Sequence, residues 1–539
     1  MNFIKLLILH FCPINLFRLN MHEKYPHIFK FSLIEVFNKA LAKDEKGYNV
    51  KFREFYEIPD KDDVHIFNYY RFEHYFNHNL KDKELSYSTL IQMNKHGCVY
   101  KTDVPVYRAL NLFVEGKVLE HHYLYHTIII IIVTTLSCLL SSVQISKNRG
   151  LQFLFTSLVI IVPHLFVMYL LNGIYVALVT VLLFSYFFVK YIWKKSWKNS
   201  IDDYERNGFV PYVHFSRGSL IVAIIIAILA VDNISFNQFM RKTYYDGFSA
   251  MDIGAGFFIA QTGASIALSR RQKTLWTIIK KNIIILVIAV VRTISVALLG
   301  YGVDEREYGI HWNFFYTLAI TRIAVDIINQ YCHEYVKYAL PFLISIVYEI
   351  ILVSTGAINK LPNLDRSNFI YANREGLLSI PNSISASLFV LLVTKASIYY
   401  YKRGKIFKTL ISYFFSCFLF FTVANVLYFA KLKSSRSLGN FRYLMYVMFL
   451  YTFGLGSVVS FEIVYPRYKE NDLINTIGRY PLVVYLVANL ITGFVNMIFK
   501  PYLMPLPLFI IILFVYFYLS ISPAYFFKKM KFKSMSQWI

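Results

Sequence analysis

From Leu124 to the C-terminus, apolar segments of about 17–25 residues recur, separated by short polar connections. Inside a bilayer such a segment finds no water for its peptide groups, so it closes its own hydrogen bonds as a helix. The segments lie near 124–143, 151–171, 174–192, 218–235, 250–269, 282–300, 312–329, 335–353, 383–400, 407–430, 441–462, 480–499 and 504–524. The expected fold is an all-α polytopic membrane protein with about 13 transmembrane helices over 121–539, behind a non-membrane N-terminal extension of residues 1–120. Composition agrees, because 56% hydrophobic and 16% charged is too apolar for a water-soluble chain of 539 residues.

The extension is mixed in character. Phe3 to Phe17 is apolar but broken by Lys5, His10 and Pro13, which reads as a signal-like segment or a misassigned start. Ser32 to Leu41 has helical spacing, and Asp60-Lys61-Asp62-Asp63 is a charge cluster without a legible role.

A net charge of +24 raises the question of nucleic acid. The lysines and arginines lie in short loops between spans, however, where membrane orientation explains them better, so no nucleic-acid partner is expected. Taking the basic connections as cytosolic puts Lys147 and Arg149, Lys190 to Lys198, Arg270 to Lys281, Lys402 to Lys408 and the Lys528 to Lys533 tail on one side. The Asp232–Lys242 loop, the Glu307–Asn313 segment and Arg374-Glu375 then share the opposite face. Lys431, Lys433, Arg436 and Arg442 also fall there, against the rule.

Five scattered cysteines support neither a zinc site nor a disulfide framework, and no metal is expected. No Walker loop, dinucleotide fingerprint, HExxH or nucleophile elbow is present, which removes most soluble hydrolase and nucleotide-driven chemistries.

The chemistry-bearing candidates are ionisable groups at the ends of apolar runs. Ser219 to Val231 is an uncharged run of thirteen residues that ends at Asp232. It amounts to about 20 Å of helix, short of the roughly 30 Å hydrocarbon core. Asp232 is either a helix-end carboxylate in a structural ion pair or a general base, with Lys242 or Arg241 steadying developing negative charge. His311, in Tyr308-Gly309-Ile310-His311-Trp312-Asn313, fits an interfacial aromatic belt or a catalytic base. Asn313 needs a hydrogen-bond partner, which makes it a candidate for sugar or phosphate contact. Arg322 and Asp326, four apart, can neutralise one another, whereas Arg292 has no near sequence partner and suits an anion. Asn489 and Asn496, seven apart, form one stripe, as interhelical glue or as cavity lining.

In this order, these stretches resemble the inositol acyltransferases of glycosylphosphatidylinositol (GPI) anchor synthesis, the family of the fungal GPI-anchored wall transfer proteins and animal PIG-W. The resemblance runs from about Arg217 to Asn496. It is carried by Arg217-Gly218, Ala227 to Asp232, Phe236, Arg241-Lys242-Thr243, Met251-Asp252-Ile253-Gly254 and Tyr308 to Phe315. Arg374-Glu375-Gly376, Ser435 to Asn440 and Ala488-Asn489-Leu490 complete it. Departures are Asn233, Asn237 and Phe239-Met240, where prolines and paired arginines are usual, and Phe257, where serine is common; the ten-residue Asp232-to-Lys242 spacing is kept.

The resemblance implies an endoplasmic reticulum enzyme that moves a fatty acyl chain, typically palmitoyl, from acyl-CoA to an inositol hydroxyl of glucosaminyl-phosphatidylinositol on the lumenal side. Acyl-CoA is then a co-substrate and no cofactor is tightly bound. Asp232 and Lys242 are the implied catalytic pair, with His311 as a further catalytic candidate. Arg217, Arg241, Asp252, Arg292, Asn313, Arg374 and Asn489 are candidates for substrate binding. The rival readings are a His-based membrane O-acyltransferase, using His311 or His164, and a lipid transporter or flippase.

Overall fold

The computed structural model describes most of residues 120–169 and 210–530, with residues 180–181 and the pairs 50–51 and 84–85. Most of the N-terminal extension, the apolar segment 174–192 and Arg241 lie outside the described residues. Within the extension, β1 (Val50–Lys51) and β2 (Glu84–Leu85) pair antiparallel, with Val50 opposite Leu85.

The rest is helical. In chain order the helices are α1 (Glu120–Leu140), α2 (Arg149–Tyr169), α3 (Pro211–Ala230), α4 (Ala250–Leu268) and α5 (Leu275–Leu298). Then come α6 (Glu305–Tyr308), α7 (Phe314–Tyr331), α8 (Glu334–Thr355), α9 (Ala357–Lys360), α10 (Phe369–Ala372) and α11 (Arg374–Leu378). The last six are α12 (Ile380–Tyr401), α13 (Ile406–Phe429), α14 (Phe441–Val464), α15 (Asp472–Arg479), α16 (Pro481–Ile498) and α17 (Leu506–Lys529). Twelve of the thirteen expected segments coincide with a helix, and of 174–192 only residues 180–181 are described. Ten helices among the described residues are long and apolar enough to cross a membrane. The protein is therefore a membrane-embedded helical bundle.

Burial sorts the helices by position. α3, α4, α12 and α14 bury most of their surface and form the centre, whereas α5 and α13 bury little and turn leucine, isoleucine and phenylalanine outward. An apolar outer face is the expected state when the solvent is lipid. Apolar surface offers no net drive for helices to associate there, so close packing and polar pairs must hold the centre. Gly218 shows the first device: a Cβ on it would collide with the Ile474 main-chain oxygen, so only glycine lets α15 approach α3 so closely. The second appears where Ser387 donates to the Ile259 carbonyl at 2.7 Å and Ser345 meets Ser385 at 2.6 Å, linking α4, α8 and α12.

The connections at one end of the bundle are tied to each other. Asn233, after α3, donates to the Pro501 and Met504 carbonyls at 3.0 and 3.1 Å, which fixes the approach to α17. Gly247 donates to Ser434 at 2.6 Å and pairs in parallel with Ser435. Ile310 donates to Ala372 at 3.0 Å, and Asn373 Oδ1 accepts from the His311 and Trp312 amides at 2.8 and 2.9 Å. Three stretches that the sequence set on one face thus meet as one polar layer. Alternation of the helices puts the described basic connections, such as Lys402 to Lys408 and Lys528-Lys529, at the other end.

Candidate active site

The polar layer roofs a cavity of about 970 Å³ that runs down among α1, α3, α4, α5, α14 and α16. That is the large end of the roughly 300–1,000 Å³ usual for small-molecule sites. Its lower walls are mainly apolar, with Ile131, Leu220, Ile224, Phe257 and Leu455 among them, interrupted by the hydroxyls of Thr134, Thr135, Ser216 and Ser219. Its upper wall carries Asp232, Lys242, Arg292, Glu307 and Arg436. Ionisable groups gathered at one end of an otherwise apolar chamber are costly in a membrane protein and mark a site.

Asp232 sits just past α3, whose last turn runs on as Val231 and Asp232 donate back to Ala227 and Leu229. Its Oδ2 accepts from Asn496 Nδ2 at 2.8 Å, so α16 holds one face of the carboxylate. Lys242 arrives from the following loop and ion-pairs with Glu307 of α6. The sequence set Lys242 against Asp232; the structure adds Glu307, a carboxylate that the sequence placed only in a connection. Arg436 closes the group, with Nη2 3.8 Å from Glu307 Oε2 and Nε 3.9 Å from Asp252 Oδ1, its guanidinium 5.3 Å from the Tyr308 ring centre. These are long ion pairs rather than tight hydrogen bonds.

The carboxyl of Glu307 feels two opposing effects. Burial alone would raise its pKa, but the charges of Lys242 and Arg436 and the Lys242 hydrogen bond overcome it and pull the value down to about 2. Glu307 is therefore an anion at any physiological pH. Burial pushes the neighbouring Tyr308 hydroxyl above its ordinary value, so it stays protonated.

The scaffold behind this group is specific. Ser249 caps α4 while Asp252 Oδ2 accepts from the Ser249 amide at 3.0 Å and its hydroxyl at 3.1 Å, a reciprocal capping box. The loop carrying Arg436 is pinned by Tyr348 on the Leu438 carbonyl at 2.9 Å, Glu349 on the Phe441 amide at 2.8 Å and Asn382 on the Gly439 carbonyl at 2.7 Å. Beneath α6, a Cβ on Gly376 would land in the Trp312 ring and within 2.6 Å of the Tyr308 carbonyl oxygen. The absence of that Cβ seats α6 on α11.

Asp232, Lys242, Arg292 and Asn489 line the cavity together. Asn489 Nδ2 is engaged with the Tyr485 carbonyl at 2.7 Å. Asp252 is fully buried behind Arg436 and does not line the cavity. His311 is exposed, its ring parallel to that of Phe369 at 6.4 Å, and it does not line the cavity. Asn313 spends its side chain on the fold: Oδ1 caps α7 at the Phe315 amide, and Nδ2 donates to Ala289 and Thr293 of α5. Arg374 is buried beside Glu375, which Arg366 also grips at 2.7 Å, beneath the polar layer. Arg217 lies about 22 Å down α3 from Asp232. There it donates to Ser265 at 2.8 Å, and the Gln261 amide satisfies its neighbours when its oxygen faces the guanidinium at 3.0 Å. His164 is buried, with Nδ1 2.7 Å from the Ile160 carbonyl and Nε2 2.9 Å from Thr134 Oγ1, so both ring nitrogens serve packing.

Glu307 and Arg436 are the site residues that sequence reasoning missed. Arg436 did leave a signal, because it broke the charge asymmetry of the loops. Arg442 broke it too, and is buried between Tyr428 and Tyr446 with Nη1 on the Leu432 carbonyl at 2.7 Å. A cation held inside the protein says nothing about which side of the membrane its loop faces.

Residues 112–527 match the GWT1 family. The chain is 29% identical over 330 residues to GPI-anchored wall transfer protein 1 of Candida albicans, an alignment covering 52% of this chain and 67% of that one. It is 27% identical to the Yarrowia lipolytica protein of that name over 319 residues, 53% of this chain and 66% of that one. To the Saccharomyces cerevisiae protein it is 32% identical over 181 residues, 31% and 37%. The aligned part thus spans from about two thirds down to little over a third of these relatives. With the match covering the bundle, the polar layer and the cavity alike, the chain belongs to the GWT1 family.

Proposed function

We propose that this protein acts in GPI-anchor biosynthesis as an acyl-CoA-dependent acyltransferase of the endoplasmic reticulum membrane, acylating the inositol ring of glucosaminyl-phosphatidylinositol at the lumenal end of the bundle. Family membership supports the pathway. The observation that carries the chemistry is the placing of Asp232 and Lys242 on the polar wall of one long apolar cavity.

Transfer from a thioester to an alcohol forms one C–O bond and breaks one C–S bond through a tetrahedral oxyanion. Asp232 takes the proton of the attacking inositol hydroxyl, a role worth about 10²–10⁴-fold when the base is well placed. Asn496 fixes the carboxylate for that purpose. Lys242 stabilises the oxyanion, and Glu307 holds the ammonium where the charge develops. The thiolate of CoA then leaves and takes the proton from Asp232, which restores the carboxylate, while the apolar chamber shelters the chain. Holding both reactants in line supplies up to about 7–11 kcal/mol of the barrier reduction. No cysteine lies among the described lining residues, which favours direct transfer over a thioester on the enzyme.

The test is to incubate membranes containing the protein with labelled acyl-CoA and glucosaminyl-phosphatidylinositol. Label in a lipid that resists phosphatidylinositol-specific phospholipase C supports the reading, since an acylated inositol cannot form the cyclic phosphate that the lipase makes. Movement of lipid between leaflets without use of acyl-CoA would favour a transporter instead.

A further inference from the structure

Some residues that line the cavity also belong to the outer surface of the bundle, so the chamber has a mouth there. On α5 these are Val287 and Val291, 54% and 55% exposed; on α16 they are Leu490, Phe494 and Met497, 74%, 58% and 64% exposed. The spacings are four on α5 and four and three on α16, so each set forms a single stripe along its helix. α5 packs chiefly on α7, and α16 on α17 and α3, while both stripes line the same cavity. Apart from Asn489, beside Leu490, and Arg292, both rims are apolar and lie within spanning helices, so the mouth opens sideways, toward lipid.

At the upper end of this mouth stands Arg292, next to Val291 on α5, lining the cavity. Among the described residues it makes no hydrogen bond or close ion pair, unlike Lys242, Arg436 and the buried Arg217, and it meets the charge of Glu307 only at longer range. A guanidinium in an apolar rim needs an anion, and its planar fork suits phosphate.

We propose that the gap between α5 and α16 is a side entrance through which an anionic glycerophospholipid passes from the bilayer into the cavity, with Arg292 holding its phosphate. Apolar rims accommodate two acyl chains without an aqueous path, and the cation lies where a phosphate meets chains already inside the rim. A thioester of CoA fits this opening less well, because its nucleotide is a soluble polyanion that would have to cross the apolar stripe. The inference deepens the proposed function and rests on it for one point, that the acceptor is an inositol phospholipid.

The experiment reads lipid position rather than turnover. The full chain is placed in phosphatidylcholine nanodiscs with a trace of phosphatidylinositol bearing a diazirine midway along one chain, irradiated, and the adducts are mapped by mass spectrometry. Parallel samples carry the same diazirine on phosphatidylcholine or on an acyl-CoA. The expected result is adducts concentrated on Val291, Leu490 and Phe494, about tenfold richer for the inositol lipid than for phosphatidylcholine, because both headgroups offer a phosphate but the trimethylammonium of phosphatidylcholine offsets its charge beside Arg292. Arg292→Gln should abolish that excess, and Arg292→Lys should keep most of it, with thermal unfolding showing both variants folded. Adducts spread evenly over the outward faces of α8 and α13, an excess unchanged in Arg292→Gln, or labelling of the stripe by the acyl-CoA probe alone would each overturn the inference. Failure of acyl transfer with this pattern intact would count against the proposed function and not against the entrance.

Discussion

Lys242 and Glu307, 65 residues apart, form an ion pair on the wall of the cavity. The pair joins the loop after α3 to the short helix α6, and Arg436 reaches the same carboxylate from a third loop. One anion therefore sets the position of two cations.

Replacing Glu307 by Gln keeps the shape and removes the charge. Lys242 then loses its anchor, and a displacement on the order of 1 Å at a reacting group can cost about 10²-fold in rate. The expected outcome is a fall in kcat of about 10–100-fold with a smaller change in KM, measured with purified protein in nanodiscs.

The pH dependence follows from the depressed value of Glu307. Its pKa in the folded protein is about 2, against an ordinary 4.5, so it contributes stability that is fully present above 4.5 and is lost as pH falls through about 2. The difference in thermal unfolding between the parent protein and Glu307→Gln should stay constant from about pH 5 to 8 and narrow below about 4.5. A difference that changes between pH 6 and 8 would mean that Glu307 titrates there.

Gly376 makes a separate prediction. Gly376→Ala forces a methyl group into the Trp312 ring and against the Tyr308 carbonyl oxygen. Overpacking of this kind costs about 1–3 kcal/mol, and the strain falls on the helix that carries Glu307. Both unfolding temperature and turnover should drop. Gly404→Ala, where an added Cβ meets nothing within 4 Å but the backbone φ is +69°, should leave turnover unchanged and lower stability only modestly.

The spans were legible because a bilayer imposes a length and a composition on any segment that crosses it; helices lie over twelve of the apolar runs, and ten of these are long and apolar enough to cross a membrane. Asp232 and Lys242 were legible as costly charges at the end of such a run, and both do face the cavity. Contacts between distant loops were not legible. Glu307 looked like one carboxylate in an acidic connection, and nothing in a single sequence says that Lys242 folds across to it. Arg217 lies apart from the polar layer, because the 15 positions between it and Asp232 run along α3 and just past its end. Asn313 and Asp252 are polar residues at helix starts, where capping uses side chains that sequence reading offers to a substrate.

The most direct measurement of the central claim is single-turnover acyl transfer by Asp232→Asn in nanodiscs, with labelled acyl-CoA and glucosaminyl-phosphatidylinositol. The variant keeps the size and the Asn496 neighbour but cannot take a proton. The account predicts that lipase-resistant product forms at least about 10²-fold more slowly than in the parent protein, while acyl-CoA still binds. Product formed by the variant at the parent rate would contradict it.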